Sequence, residues 1–203
     1  MDIYLIRHGE TDWNRMKKLQ GTTDIPLNAY GIELAEKTAE GLKDVPFDRI
    51  YTSPLIRARK TAEIIRGDRP IEIIETDGLK EISFGDYEGL CYLPDNYTIP
   101  KPGFRKFFDD PEHYDTPPHG ESLLHLRERT SSFVRSIMDD PANENMTFLM
   151  SAHGAAIRGI LSGLQNLPLA ESWSGPVHKN CGVTKLHVEH GKFNIEFENR
   201  LYY

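Results

Sequence analysis

Two histidines stand directly behind short apolar runs near opposite ends of the chain, and each is followed by a glycine. His8 comes after the run 3–6, and His153 comes after the run 146–151. A short apolar run that ends at a glycine is typical of a buried strand that stops at a tight turn. Because ligands bind at the C-terminal ends of strands in open α/β sheets, the pattern predicts one site that holds both imidazoles.

Two arginines belong to the same expected site. Arg7 adjoins His8, and Arg57 lies on the first turn of a helix that the Ser53-Pro54 pair is predicted to begin. The planar guanidinium fork suits a tetrahedral phosphate group, and the helix N-termini after Pro54 and Gly154 add partial positive charge. The sequence therefore predicts a phosphate site made of side chains and helix amides.

The chemistry that such a site could perform is phosphoryl transfer. Nearby arginines disfavour protonation of His8, so its imidazole would be neutral and able to attack phosphorus, giving a phosphohistidine intermediate without a metal. An alkoxide leaving group also needs a proton donor. The segment 79–89 offers Glu81, Asp86 and Glu88, and position alone does not separate them.

Composition and charge exclude several other classes of protein. With 27% charged residues and a net charge of −7, the chain lacks the basic surface that nucleic-acid binding requires. Cys91 and Cys181 are far apart and form no C-x-x-C pattern, so we expect two free thiols in a reducing compartment. With no signal peptide or membrane span in the sequence, we expect a cytoplasmic protein with no membrane partner.

Motifs for nucleotides, serine hydrolysis and zinc are missing from the sequence. It contains no G-x-G-x-x-G, P-loop, G-x-S-x-G or H-E-x-x-H pattern. The remaining histidines show no metal-ligand spacing and are interpreted as surface or structural residues: His113, His119, His125, His178, His187 and His190. The sequence thus predicts neither a metal site nor a cofactor.

Strands and helices alternate along most of the chain, as in one α/β domain with a mostly parallel sheet. The predicted strands are 3–6, 48–52, 71–75, 146–151, 183–188 and 193–197. The predicted helices are 28–42 with Asn28 as N-cap, one that begins at Ser53-Pro54, a short one near 104–108, 122–138 and 155–164. Segment 11–26 reads as irregular, and a region at about 91–120, rich in proline and aromatic residues, reads as an insertion.

Taken together, these residues resemble the histidine phosphatase superfamily, also called the phosphoglycerate mutase-like family. The matching stretches follow the family's order over about three quarters of the chain. They are Arg7-His8-Gly9-Glu10-Thr11-Asp12-Trp13-Asn14, Leu19-Gln20-Gly21, Asp24-Ile25-Pro26-Leu27, Ser53-Pro54-Leu55-Ile56-Arg57-Ala58 with Thr61-Ala62, the Glu81 segment, Gly120-Glu121-Ser122 and Ala152-His153-Gly154. An ordered set of this kind is specific, whereas a lone R-H-G would not be.

The resemblance implies a three-layer α/β/α sandwich formed by residues 1–203 as a single domain, with the insertion partly covering the site. It implies that His8 is the phosphorylated nucleophile, that Glu81 is the proton donor, and that Arg7, Arg57 and His153 hold the phosphoryl oxygens. The residues that it places around the substrate are Asn14, Gln20, Gly21, Gly154 and the amide of Ala155.

Within the family, the phosphatase branch fits this chain better than the mutase branch. Mutases carry an adjacent arginine pair in the insertion, whereas this chain has none and offers there only Lys101, Arg105 and Lys106 among many acids. We therefore expect a histidine acid phosphatase-type phosphomonoesterase that acts on small molecules. A phosphoglycerate mutase and a non-catalytic phosphoanion-binding or interaction module are the alternatives, and the oligomeric state stays unknown.

Overall fold

One mixed sheet forms the centre of the molecule. The computed structural model describes residues 1–100, 102–175 and 177–203, and within these ranges six strands form the sheet in the order β3-β2-β4-β1-β5-β6. The strands are β1 (Asp2–Arg7), β2 (Arg49–Thr52), β3 (Ile73–Glu75), β4 (Thr147–Ala152), β5 (Val183–Glu189) and β6 (Lys192–Arg200). β1 to β4 run parallel, and β5 and β6 are antiparallel to their neighbours.

The register of β1 and β4 brings the two histidines together. Arg7, the last residue of β1, is paired with Ala152, the last residue of β4. His8 and His153 therefore leave adjacent strands at the same level of the sheet edge. This is the position expected for a ligand site in a parallel sheet.

Helices cover both faces of the sheet and complete a three-layer sandwich, as predicted. They are α1 (Asp12–Arg15), α2 (Ala29–Gly41), α3 (Ile56–Arg66), α4 (Lys106–Asp109), α5 (Leu123–Met138) and α6 (Gly154–Leu164). On one face, Ile3 and Leu5 of β1 pack with α5 and α6, and on the other face Tyr4 and Ile6 pack with α2 and α3. This alternation is the two-residue period of a strand buried on both sides.

A third apolar cluster joins the aromatic region to the sheet edge. Its buried members include Phe84, Phe104, Phe107 and Leu123, and the rings of Phe104 and Phe107 stack with their centroids 5.7 Å apart. A 3-10 helix over Pro102–Arg105 runs into α4, close to the predicted short helix. Lys101, counted above among the basic residues of this region, lies outside the described residues.

Several predicted boundaries were wrong. α3 begins at Ile56 rather than at Pro54, because Leu55 is still extended. β3 begins at Ile73 rather than at residue 71. The segment predicted to be irregular contains α1, which Thr11 begins with a reciprocal capping box that short polar sequences can form.

Two further observations concern the whole chain. Cys91 and Cys181 are both free, as expected. In the described ranges, every helix is too short or too polar to cross a membrane. The cytoplasmic location stays a prediction.

We predict that Gly31→Ala destabilises the protein, although alanine normally favours a helix by about 0.5–1 kcal/mol. A β-carbon at Gly31 of α2 would lie 2.1 Å from the backbone oxygen of Glu10, in the loop that follows His8. Overpacking of this kind costs about 1–3 kcal/mol, so urea denaturation should give a lower free energy of unfolding. Gly103→Ala, where the added carbon meets open space, is the control. A stabilised Gly31→Ala variant would contradict the close approach.

Candidate active site

A cavity of about 150 Å³ opens at the sheet edge where β1 and β4 end. Almost all the residues that the sequence singled out line it: Arg7, His8, Asn14, Gln20, Gly21, Arg57, Glu81, Gly154 and Ala155. His153 is the exception. It is fully buried behind His8, with the two ring centroids 5.1 Å apart.

The His8 ring is oriented by its neighbouring peptide. Nδ1 lies 2.7 Å from the carbonyl oxygen of Gly9, which can only accept, so Nδ1 carries the proton and the lone pair of the neutral ring is on Nε2. The backbone around the ring is also fixed: the Asn180 side chain donates to the His8 carbonyl (3.1 Å), and the Gly9 amide donates to the Thr61 hydroxyl (3.0 Å). The result is a held imidazole with Nε2 as its nucleophilic atom.

His153 is fixed by Ser53, at the C-terminal end of β2. Its Nε2 lies 2.8 Å from the Ser53 hydroxyl, which also accepts the amide hydrogen of Leu55. If the hydroxyl donates to Nε2, the proton of the neutral ring is on Nδ1. With that tautomer, the buried Nδ1 is a donor that has no hydrogen-bond partner among the described residues.

Burial keeps both imidazoles neutral. Desolvation is the largest cause that lowers the pKa of His8 well below its usual value, and the charges of Arg57 and Arg7 lower it further. The same three causes, with His8 itself, lower the pKa of His153. The sequence-based expectation of a neutral His8 therefore agrees with its surroundings.

Arg57 is completely buried and is held by a neighbouring loop. One terminal nitrogen donates to the carbonyl oxygen of Gly21 (2.7 Å) and the other to that of Thr23 (2.9 Å). Its Nε is buried and has no partner within the described ranges. Desolvation lowers the pKa of Arg57 to about 10, so the group stays charged at neutral pH.

Arg7 is fixed in a similar way on the other side of the cavity. It donates to the carbonyl oxygen of His178 (2.5 Å), and its Nε too is without a partner in the described part of the chain. This guanidinium lies next to the N-terminus of α6, since a β-carbon at Gly154 would be in ordinary van der Waals contact with Cζ of Arg7, 3.7 Å away. Two guanidinium groups thus present donors to one small cavity.

Glu81 caps the same helix. Its Oε1 accepts the amide hydrogens of Ile82 (3.1 Å) and Ala156 (2.9 Å), and its Oε2 accepts that of Ala155 (3.3 Å). Desolvation raises the pKa of the Glu81 carboxyl, although Arg57 and these three amides oppose the rise. A raised pKa suits a carboxyl group that has to donate a proton.

The other two carboxyl groups that the sequence left open lie elsewhere. Asp86 is exposed and contacts His119 at 3.0 Å, and Glu88 is bonded to the loop of Thr22 and Thr23. Neither residue lines the cavity, whereas Glu81 does. The geometry therefore favours Glu81 as the proton donor.

Two polar side chains complete the cavity wall. Asn14 uses Oδ1 to accept from the Thr11 amide (3.1 Å) and from Asn180 (3.2 Å), which leaves its Nδ2 to serve a ligand. Gln20 uses Oε1 to accept from the Thr11 hydroxyl (2.9 Å). Both side chains are therefore oriented before a ligand arrives.

Sequence reasoning missed part of the wall. The unassigned lining residues are Lys18, Leu19, Phe84, Tyr92, Phe107, Phe108, Trp173 and Val177. The aromatic composition of the region at about 91–120 was a signal for three of them. Trp173 and Val177 lie in a loop after α6 with no motif, so nothing in the sequence pointed to them.

One group of possible metal ligands occurs in the described residues, far from the cavity. Ligand atoms of Asp2, His187 and Glu196 lie within 4.8 Å of one another. The Lys185 ammonium already pairs with both carboxylates, at 2.8 and 2.9 Å. Asp2 begins β1 and Arg7 ends it, so the group is about 16 Å from the cavity at 3.3 Å per residue.

Known proteins are similar to this chain over most of its length. The model of the histidine phosphatase superfamily (branch 1) matches residues 3–200. A phosphatase of Bacillus subtilis named PhoE, described as uncharacterized, is 41% identical over 160 residues, which cover 79% of this chain and 75% of PhoE. A probable phosphoglycerate mutase, GpmB of Escherichia fergusonii, is 30% identical over 195 residues, with 95% and 87% covered.

A solved structure extends the likeness to the fold. A mutant phosphoserine phosphatase from Entamoeba histolytica, in complex with phosphoserine, superimposes with a TM-score of 0.83 at 32% identity. The match covers 98% of this chain and 96% of that one.

We predict that the imidazoles of His8 and His153 stay neutral over the pH range in which exposed histidines of this chain titrate. Their lowered pKa values mean that protonation occurs only well below pH 6.5. Exposed His113 and His119 are internal controls, because hydrogen bonds to Asp110 and Asp86 raise their pKa values. NMR of the imidazole signals should show the controls shifting with midpoints above 6.5 while the buried pair stays constant. A His8 midpoint near 6.5 would contradict the neutral nucleophile.

Proposed function

Because the chain belongs to the histidine phosphatase superfamily (branch 1), we propose that it hydrolyses small-molecule phosphate monoesters through a phosphohistidine on His8, without a metal ion. The observation that carries the proposal is the shared cavity of His8, Arg7, Arg57 and Glu81. A neutral imidazole, two guanidinium groups and a carboxyl of raised pKa form a complete set for this chemistry.

The first step transfers the phosphoryl group to the enzyme. Arg7 and Arg57 donate hydrogen bonds to the phosphoryl oxygens through the donors that face the cavity. The lone pair of His8 Nε2 forms a bond to phosphorus while the ester P–O bond breaks. The electron pair of that bond goes to the leaving oxygen, and the Glu81 carboxyl gives this oxygen its proton.

The second step returns the enzyme to its starting state. The Glu81 carboxylate takes a proton from water, whose oxygen forms a bond to phosphorus while the P–Nε2 bond breaks. Inorganic phosphate leaves, His8 recovers its lone pair, and Glu81 is protonated again. One residue thus acts as acid and then as base, and no proton or electron is left over.

Charge neutralisation in this mechanism comes from the chain itself. The phosphoryl oxygens carry negative charge in the transition state, and fixed donors in a dry site stabilise such charge strongly. Arg57 is fully buried, and the Nε atoms of Arg7 and Arg57, which both line the cavity, have no partner among the described residues. These groups, with the α6 N-terminus, stabilise the charge that a metal ion stabilises in other phosphatases.

The shape of the cavity supports a small substrate. Its volume of about 150 Å³ suits a phosphoryl group with a small leaving group, and Tyr92, Phe107 and Phe108 of the insertion lie on its wall. We therefore propose that the insertion partly covers the site and limits the leaving group. The phosphoserine of the structural relative is an ester of this size class.

Phosphoglycerate mutase activity is the second candidate, because GpmB matches over 95% of the chain. A mutase has to keep the phosphorylated histidine away from water and return the group to the product. The two activities share the first step and differ in what accepts the phosphoryl group. The product formed from 3-phosphoglycerate therefore separates them.

We predict that phosphate release from p-nitrophenyl phosphate and 3-phosphoglycerate continues in excess chelator and falls to the uncatalysed rate in His8→Ala. The variant lacks the Nε2 lone pair, so no phosphoenzyme can form. Loss of wild-type activity in chelator would contradict the metal-independent mechanism. Formation of 2-phosphoglycerate faster than phosphate release would establish the mutase, and phosphate binding without any turnover would establish a non-catalytic module.

We predict that Glu81→Gln slows alkyl esters such as phosphoserine far more than p-nitrophenyl phosphate. A general acid contributes about 10²–10⁴-fold when the leaving group needs a proton, and nitrophenolate needs none. Because kcat/KM reports the steps up to release of the leaving group and not the later attack of water, which is the same for both esters, kcat/KM is the quantity to compare. It should fall by about 10²-fold or more for phosphoserine and by less than about tenfold for the aryl ester. Asp86→Asn, in the same segment but exposed, is the matched control. Equal losses on both esters would remove Glu81 from the acid role.

A further inference from the structure

The Glu88 carboxylate has an unusually large number of hydrogen-bond donors for a side chain that does not line the cavity. Its Oε1 accepts from the Thr22 amide (2.9 Å), the Thr22 hydroxyl (3.2 Å) and the Phe84 amide (3.1 Å). Its Oε2 accepts from the Thr23 amide (2.8 Å) and closely from the Thr23 hydroxyl. One carboxylate therefore holds two adjacent residues of a loop by both backbone and side chain.

That loop is the same one that holds Arg57. The carbonyl oxygens of Gly21 and Thr23 accept the two terminal nitrogens of the guanidinium. Because Arg57 is completely buried, water cannot replace these acceptors, and the position of the loop fixes the position of the charge. Glu88 thus fixes the position of the guanidinium indirectly, because it holds the backbone whose carbonyl oxygens bind Arg57.

The contact between Glu88 and the loop is tight. A β-carbon at Gly21 would lie 2.0 Å from Glu88 Oε1, and Gly21 has a φ of +54°, which favours glycine. The carboxylate therefore occupies the space that a side chain at residue 21 would need. Since Phe84 also lines the cavity, its bond to Glu88 ties the Glu81 segment to the Gly21 loop.

We propose that Glu88 is a positioning residue for the reaction: it holds the Gly21–Thr23 loop so that Arg57 meets the phosphoryl oxygens. The inference rests on the proposed function, because it assumes that Arg57 stabilises the transition state. A carboxylate suits this task because every group that it contacts in the loop is a hydrogen-bond donor. If the Arg57 guanidinium is displaced by about 1 Å, the rate can fall by about 10²-fold.

The test is a double-mutant cycle of Glu88→Gln and Arg57→Ala. The amide of Glu88→Gln keeps the shape but puts N–H groups against the loop's own donors. In the wild-type background we expect kcat to fall by about 10–10²-fold and the inhibition constant of orthovanadate to rise, with KM changing less. In the Arg57→Ala background the same change should cost less than about twofold, because the group being positioned is gone.

Controls separate positioning from general damage. Asp86→Asn, two residues earlier and exposed, should stay within about twofold of wild type. If Glu88→Gln lowers Tm strongly, Thr23→Val provides the milder change, since it removes a single hydroxyl donor to Glu88. It should give a smaller loss that also disappears in Arg57→Ala.

The outcomes are distinguishable from failure of the proposed function. Equal losses in the two backgrounds, or wild-type kcat in Glu88→Gln, would overturn the positioning role while leaving the phosphatase intact. If the wild type turns over no ester, the proposed function fails, and the cycle is measured as orthovanadate binding by calorimetry. If the effects of the two substitutions on the free energy of orthovanadate binding are not additive, the inference is still supported. Additive effects would overturn it.

Discussion

A fully buried guanidinium is the constraint on which the rest of the site depends. Removing a cation from water costs several kcal/mol unless hydrogen bonds replace the lost solvent. Arg57 meets this requirement with carbonyl oxygens of the Gly21–Thr23 loop, and the loop in turn depends on Glu88. The same dry, positive surroundings keep His8 neutral, and their dryness also raises the pKa of Glu81. The position of the Arg57 charge, the neutrality of His8 and the raised pKa of Glu81 therefore depend on the same buried environment.

Much of the fold follows from local sequence. The apolar run of β1 alternates between two helical layers, and the pairing of Arg7 with Ala152 places both histidines at one edge. These features depend on residue periodicity and on the rule for ligand sites in parallel sheets, which is why they could be predicted. The start of α3 could not: Leu55 is still extended although proline is favoured at a helix start, and the contact of the Ser53 hydroxyl with the distant His153 has no signal in the local sequence.

The features of the site that could not be predicted are backbone hydrogen-bond acceptors and the positions that side chains take in the folded chain. The carbonyl of His178 binds Arg7, yet no side-chain pattern marks a carbonyl as a ligand. Glu88 could not be separated from Glu81 by position in the chain, because the difference lies in which loop each one faces. His153 is present as expected but stands behind His8 rather than on the cavity wall. Each of these depends on the path of distant segments.

The central claim is that the phosphoryl group passes through Nε2 of His8. The most direct measurement is rapid quenching of wild-type enzyme with substrate at alkaline pH, where phosphohistidine survives, followed by mass spectrometry of the N-terminal peptide. The mechanism predicts one added phosphoryl group on His8. With p-nitrophenyl phosphate, whose leaving group needs no acid, it should accumulate in Glu81→Gln, because water attack then lacks its base. An unmodified His8 during turnover, or a phosphoryl group on another residue, would contradict it.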